Sequence, residues 1–163
     1  MNIGDICTRE VVLADRAATL QQAASLMREH HVGLLIITEK SADGLQITGI
    51  VTDRDVVVEA VARGLDVTHT EVGQLESDKL AALPSDAAID EAIDMMKERG
   101  VRRLLVSGEG GKLHGVVSLD DVLGALGHEM AELAHAVRKG IDRETAEREP
   151  LAPPPQAQRP LHI

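Results

Sequence analysis

The chain has 163 residues, a length typical of one compact domain, and its 44% hydrophobic and 27% charged residues exclude a wholly disordered chain. It contains no Phe, Tyr or Trp, which excludes an aromatic platform for nucleic-acid bases and an aromatic cage for a quaternary ammonium ligand. The 17 Lys and Arg residues against 27 Asp and Glu give a net charge of −10, which argues against nucleic acids and anionic membranes as partners.

The first half of the chain predicts a strand, a helix, a β-hairpin and a second helix. An apolar run near Val11–Leu13 predicts the opening strand, and apolar residues at three- and four-residue steps predict an amphipathic helix over Thr19–Val32. Two strand-like runs on either side of a turn rich in Asp and Gly predict the hairpin. The hairpin strands and the closing helix are predicted at Leu34–Thr38, Leu45–Val51 and Asp53–Arg63.

The second half repeats this order. Four apolar positions of the first helix recur 69 residues later, as the pairs Leu20/Ile89, Ala23/Ala92, Met27/Met96 and Val32/Val101. The repeated elements are predicted at Leu80–Leu83, Ala88–Val101, Leu104–Ser107, Lys112–Val117 and from Asp120 onward. We therefore predict an α/β fold of two β-α-β-β-α repeats, residues 3–66 and 72–127, related by a pseudo-twofold axis with a cleft between them.

The last helix is predicted to continue beyond the second repeat, through residues 128–149. An aliphatic stripe runs along it from Leu123 to Val137, which favours packing against a second copy in a homodimer. Five of the six prolines fall between Pro150 and Pro160, so residues 150–163 are predicted to be a flexible tail, with a polyproline-type strap for a partner as the alternative.

The sequence predicts a cytoplasmic protein without a metal site or a nucleophile. The N-terminus carries no apolar signal-peptide core, and no apolar stretch approaches the length of about 18 residues that a membrane helix needs. The single cysteine, Cys7, cannot form an intramolecular disulfide and has no identifiable His partner. The seven histidines show no metal-ligand spacing.

One short pattern closes the second hairpin strand of both repeats, as Gly49–Asp55 and Gly115–Asp121. Its skeleton is a glycine, two aliphatic residues, a hydroxyl residue, two variable residues and an aspartate. The hydroxyl is a candidate N-cap for the following helix, and the aspartate three residues later is placed to accept hydrogen bonds from the two hydroxyls of a ribose. The alternative is a capping box with no ligand role, in which the aspartate takes the usual position of a glutamate.

The repeated unit and these two endings resemble a pair of CBS domains (the cystathionine β-synthase repeat), which together form a Bateman module. The resemblance covers about residues 3–127. The chain is similar in particular to small bacterial proteins made of a CBS pair and little else. It implies two α/β halves packed through their sheets, with an adenosine nucleotide in the clefts. The implied ligands are AMP, ADP, ATP, S-adenosylmethionine or NAD, and the implied role is sensing without catalysis.

The resemblance also implies the binding residues. Asp55 and Asp121 match the ribose-binding aspartate, and Thr52 and Ser118 match the hydroxyl position. To the first cleft we assign Thr52, Arg54, Asp55, Val12, Val32, Gly33, Leu34, Arg102 and Arg103. To the second cleft we assign Ser118, Asp121, Ala81 and Val101.

The two clefts are expected to be inequivalent. Head-to-tail packing of the halves would bring the Arg102–Arg103 turn to the cleft of Asp55, while the cleft of Asp121 would face Gly33–Leu34 and carry Asp120. Asp55→Ala is therefore expected to abolish the tighter nucleotide site, and Asp121→Ala to leave it nearly intact. The alternative function is a structural or adaptor module with vestigial clefts. A third function, an enzyme acting on a nucleotide, is not supported, because the sequence shows neither a nucleophile nor a metal site for it.

Overall fold

The computed structural model describes residues 1–42, 44–75 and 80–148. Its compact unit is Met1–Leu123, and the chain from Gly124 onward forms a second unit. The predicted proline-rich tail at residues 150–163 lies outside the described residues.

The first half of the compact unit contains a three-stranded sheet with the order β1-β2-β3. Strand β1 pairs in parallel with β2, which pairs antiparallel with β3. A short helix α1 precedes the sheet, α2 crosses from β1 to β2, and α3 follows β3. The bounds are α1 Ile3–Ile6, β1 Leu13–Asp15, α2 Leu20–His30, β2 Leu34–Ser41, β3 Gly44–Thr52 and α3 Asp53–Asp55.

The second half repeats this sheet with the order β4-β5-β6 and the same parallel and antiparallel pairings. Its elements are β4 Ala82–Pro84, α4 Ile89–Arg99, β5 Arg103–Ser107, β6 Leu113–Ser118 and α5 Leu119–Glu147. The predicted α/β fold of two repeats with a long C-terminal helix is thus confirmed. The opening strands begin about two residues later than predicted, because they extend only as far as they pair with β2 and β5.

Each half has its own aliphatic core under the amphipathic helix. Leu20, Ala23 and Met27 of α2 are buried against β2 and β3, and Ala92 and Met96 of α4 take the equivalent places in the second half. With no aromatic residue available, these cores consist of Leu, Ile, Val, Ala and Met side chains. The apolar positions whose spacing predicted the two helices are therefore the positions that pack into the cores.

Helices α2 and α4 differ at the N-cap, the residue that directly precedes each helix. Thr19 caps α2, because its Oγ1 accepts a hydrogen bond from the Gln22 backbone N–H at 3.2 Å. Ala88 occupies the same place before α4 with an almost identical extended backbone, yet its methyl group cannot accept a hydrogen bond. Of the two hydrogen bonds of a capping box, only the one from the N-cap N–H is present, from Ala88 N–H to Glu91 Oε2 at 2.8 Å.

We therefore expect Ala88→Thr to raise the free energy of unfolding by about 1 kcal/mol, by completing the cap. Chemical denaturation followed by circular dichroism measures this change. Thr19→Ala is the reciprocal variant and should lose a similar amount. An Ala88→Thr protein no more stable than the wild type would contradict this interpretation of the cap.

The segments before the two opening strands are exchanged between the halves, which the sequence did not reveal. Ile3 of α1 is fully buried in the core of the second half, and its N–H donates to the Ala87 carbonyl at 2.9 Å. Val72, 69 residues later, is fully buried in the core of the first half, where its N–H donates to the Ala18 carbonyl at 2.7 Å. Each half is therefore completed by the segment that opens the other repeat.

The helix predicted at Asp53–Arg63 has a different geometry. One α-helical turn at Asp53–Asp55 continues as a π-helix over Val56–Val61, with the Ala62 N–H donating to the Val57 carbonyl at 3.0 Å. Three consecutive valines, which have low α-helix propensity, lie in this wider segment. A π-helical turn often accompanies a functional site, and this one follows the motif aspartate directly.

The C-terminal helix α5 extends through Glu147, in agreement with the predicted extension. Six of its large apolar side chains recur at steps of three or four residues and are exposed, from 41% for Leu126 to 71% for Met130. The exposed stripe comprises Leu123, Leu126, Met130, Leu133, Val137 and Ile141. Among the described residues, no helix is both long and apolar enough to cross a membrane.

Candidate functional site

Asp55 is tied to the hydroxyl residue that precedes it in the first motif. Its Oδ2 accepts hydrogen bonds from the Thr52 N–H at 2.8 Å and from Thr52 Oγ1 at 2.7 Å. In return, the Asp55 N–H donates to Thr52 Oγ1 at 3.2 Å. The arrangement is a capping box at the end of β3, and it fixes the carboxylate at the mouth of a cleft.

The second motif repeats this geometry. Asp121 Oδ2 accepts from the Ser118 N–H at 2.8 Å and from Ser118 Oγ at 2.6 Å, and the Asp121 N–H donates to Ser118 Oγ at 3.2 Å. Within residues 1–42, 44–75 and 80–148, neither aspartate has a hydrogen bond on Oδ1. Both pairs form a capping box, which occupies Oδ2 of each carboxylate and leaves Oδ1 without a hydrogen bond among the described residues.

Backbone hydrogen bonds join each motif to the turn that enters the central strand of the same half. The Asp53 N–H donates to the Gly33 carbonyl at 3.1 Å, and the Leu119 N–H donates to the Arg102 carbonyl at 2.9 Å. A Cβ at Gly33 would lie 3.1 Å from Asp53 Oδ2, so a larger residue there would require the Asp53 side chain to shift. Arg102, at the equivalent position of the second half, lines a cavity together with Asp55.

The first cleft is a cavity of about 440 Å³ that combines the first motif with the turn of the second half. Thr52, Arg54 and Asp55 line one side, and Gly100–Arg103 line the other. Three arginines thus accompany a single carboxylate. A volume in the usual range of small-molecule sites, with an excess of guanidinium groups, suits an anionic ligand.

The second cleft is a smaller cavity of about 230 Å³, and its walls are mostly aliphatic. Ser118 and Asp121 lie on one side, and Arg103 is the single cation among the described residues that line this cavity. Glu10 adds a second carboxylate. The aliphatic wall consists of Val11, Val12, Val32, Leu34 and Val116.

These cavities correct several assignments made from the sequence. Four residues assigned to the first cleft lie instead in the cavity with Asp121, namely Val12, Val32, Gly33 and Leu34, the last two as expected from head-to-tail packing of the halves. Val101, assigned to the second cleft, lines the cavity with Asp55, and Ala81 is buried in the core of the second half. The reason is that each cavity combines the motif of one half with the turn of the other half.

Arg103 contributes to both clefts, whereas the sequence placed it only in the first. It is paired with Ser118 across strands β5 and β6, so it also lines the cavity of Asp121. A third cavity of about 340 Å³ lies between the two motifs and is lined by residues of both. Arg54, Arg102 and Arg103 line this central groove together with Asp53 and Asp120.

Some lining residues were missed by the sequence analysis. Thr8 and Glu10 line the cavity of Asp121, and Ile50 lines that of Asp55. Backbone hydrogen bonds hold both ends of the segment that carries Glu10. The Thr8 N–H donates to the Val116 carbonyl at 2.9 Å, and the Ile36 N–H donates to the Val12 carbonyl at 3.0 Å. The motifs gave no signal for this segment, because it belongs to neither.

Other polar groups do not form a second centre in the described part of the chain. No group of three or more His, Cys, Asp or Glu side chains there could hold a metal ion. Hydrogen bonds from Thr68 and His69 lower the pKa of Asp66 to about 2, and all three lie on one exposed turn. Cys7 is half-buried and donates weakly to the Gly4 carbonyl at 3.6 Å.

Comparisons with known proteins agree with this architecture. Hypoxic response protein 1 of Mycobacterium tuberculosis is 36% identical over 118 residues, which span 72% of this chain and 80% of that protein. The structure of Hypoxic Response Protein I with two coordinated zinc ions matches with a TM-score of 0.62 at 32% identity, covering 76% of this chain and 97% of that one.

Two further solved structures share the fold. A putative signal-transduction protein with CBS domains from Burkholderia ambifaria has a TM-score of 0.67 at 26% identity, covering 77% of this chain and 93% of that one. A CBS domain protein from Pyrobaculum aerophilum complexed with AMP has a TM-score of 0.64 at 23% identity, covering 74% and 89%. The CBS-domain family model matches residues 3–61 and 72–128. The chain therefore belongs to the CBS-domain family and carries two CBS domains in tandem.

Proposed function

We propose that the chain is a non-enzymatic regulatory module that senses an adenine nucleotide in its clefts. The single observation that carries this proposal is the duplicated pairing of a hydroxyl residue with an aspartate at the mouth of a cavity. Each pair leaves one carboxylate oxygen for a ribose hydroxyl. The arginines beside Asp55 would bind phosphate, which favours AMP, ADP or ATP over an uncharged nucleoside in that cleft.

Several other adenosyl ligands share this chemistry. S-adenosylmethionine and NAD offer the same adenine and ribose with different charges. The AMP-complexed neighbour from Pyrobaculum aerophilum is 23% identical, so its likeness concerns the fold, and the nucleotide proposal rests on the clefts of this chain. The alternative, an adaptor with vestigial clefts, predicts that none of these compounds binds.

A thermal-shift screen separates the two functions. Because the chain has no Trp or Tyr, unfolding is followed by circular dichroism or by an external dye. A ligand at 100 times its Kd stabilises the folded state by about 2.7 kcal/mol, enough to raise Tm by several degrees. We expect this shift with AMP, ADP or ATP, and none with ribose 5-phosphate, which lacks the base. A Tm unchanged by AMP, ADP, ATP, NAD and S-adenosylmethionine would favour the adaptor function.

The response would pass to another molecule through contacts between chains. The exposed stripe of α5 supports a homodimer, since apolar residues in alternating steps of three and four form the seam between paired helices. We further propose that the module acts on a protein partner and that it does so in the cytoplasm. The identity of that partner is a matter for affinity isolation with and without nucleotide.

A further inference from the structure

The clefts differ in the charges that line them. Among the described residues, the cavity of Asp55 is lined by Arg54, Arg102 and Arg103 against one carboxylate. The same arginines also line the central groove with Asp53 and Asp120, so across the two cavities together three guanidinium groups face three carboxylates, and the excess of positive charge is confined to the cavity of Asp55. The cavity of Asp121 contains Glu10 and Asp121 against Arg103 alone, a local excess of negative charge. The two motifs themselves have matching geometry, so this difference comes from residues outside them.

We propose that the clefts sort adenosyl ligands by charge, so that the cleft of Asp121 takes an adenosyl compound with a neutral or cationic 5′ substituent, and that Glu10 sets this preference. The proposal rests on the proposed function, because it assumes that both clefts bind the adenosyl group. Phosphorylated ligands then occupy the cleft of Asp55.

Three features of the second cleft support this assignment. Its aliphatic wall accepts an adenine ring, and its smaller volume leaves little room for a phosphate chain. Glu10 lines this cavity, and the hydrogen bonds at Thr8 and Val12 fix the backbone on either side of it, while the Glu10 side chain itself is exposed. Arg103 is shared with the other cleft, where a phosphate would compete for it.

The test uses three compounds that share adenine and ribose and differ in the 5′ group, namely adenosine, AMP and 5′-amino-5′-deoxyadenosine, which are neutral, anionic and cationic at neutral pH. The Asp55→Asn variant isolates the cleft of Asp121, and the Asp121→Asn variant isolates the cleft of Asp55. Isothermal titration calorimetry of each variant gives the three dissociation constants. We expect the cleft of Asp121 to bind the amino compound at least tenfold more tightly than AMP, and the cleft of Asp55 to show the reverse order.

Glu10→Gln, added to the Asp55→Asn variant, identifies the residue responsible. Loss of one negative charge should weaken the amino compound and strengthen AMP, each about tenfold, while the affinity for adenosine stays unchanged. Glu98→Gln on the exposed surface of α4 is the matched control and should change none of the three.

The outcomes separate the inference from the proposed function. If AMP binds the cleft of Asp55 but the cleft of Asp121 binds AMP as well as the amino compound, or binds no adenosyl compound, the charge sorting is wrong and the nucleotide function stands. If Glu10→Gln changes adenosine as much as the charged compounds, Glu10 acts on the fold and not on specificity. If no compound binds either cleft, both proposals fall together.

Discussion

Asp55→Asn is expected to weaken AMP binding by about 10- to 100-fold while leaving the fold intact. The structure explains why asparagine is the informative replacement. Its amide oxygen can still accept the hydrogen bonds of the Thr52 N–H and Oγ1, so the cap at the end of β3 is retained. The amide NH₂ then replaces Oδ1, the oxygen that we propose binds the ribose. Losing a hydrogen bond to a charged acceptor costs about 1.5–3 kcal/mol, which corresponds to this fold-change.

Asp121→Asn is the matched control, because Ser118 and Asp121 reproduce the same cap. We expect it to leave the tighter AMP site within about twofold of the wild type. Both variants should unfold within a few degrees of the wild-type Tm, whereas Asp55→Ala would also lose the hydrogen bonds that its carboxylate accepts from Thr52, worth about 1 kcal/mol. Equal losses of AMP affinity in the two asparagine variants would contradict the inequivalence of the clefts.

Replacing both Leu126 and Leu133 by Asp is expected to convert a dimer into a monomer. The two side chains are 41% and 66% exposed on α5 and lie seven residues apart on one stripe. A leucine buried between chains contributes about 1.5–3 kcal/mol, and two buried carboxylates per chain would oppose association further. Light scattering coupled to size exclusion measures the mass, with concentration taken from refractive index because the chain lacks Trp and Tyr.

Glu132→Gln, on the opposite face of the same helix, controls for a general effect on α5 and should remain dimeric. A wild-type protein that is monomeric at micromolar concentration, with and without AMP, would contradict the proposed dimer. A double aspartate variant that stays dimeric would place the interface elsewhere on the molecule.

Hydrophobic periodicity was sufficient to predict the two α/β halves. The positions of Leu20, Ala23 and Met27 recur in the second repeat because both helices bury one face on a sheet. Periodicity could not predict the exchange of Ile3 and Val72, since a segment of a few residues has no readable period. Nor could it identify the π-helix after Asp55, which depends on backbone hydrogen bonds.

The candidate site also has a part that could be predicted from the sequence and a part that could not. The pairs Thr52–Asp55 and Ser118–Asp121 could be found from the sequence, because each pair is local and the pattern occurs twice. Head-to-tail packing placed Arg102 and Arg103 opposite Asp55. The other residues opposite each pair could not be assigned reliably, since they come from the other half of the fold. Val12 and Val32 therefore lie beside Asp121, although their sequence positions suggested Asp55. Glu10 was missed for the same reason.

A crystal structure of the chain grown with AMP tests the central claim most directly. We predict that the ribose hydroxyls of AMP contact the free oxygen of Asp55 and that its phosphate lies among Arg54, Arg102 and Arg103. AMP bound outside both clefts, or no AMP in crystals grown at saturating concentration with open clefts, would contradict the account.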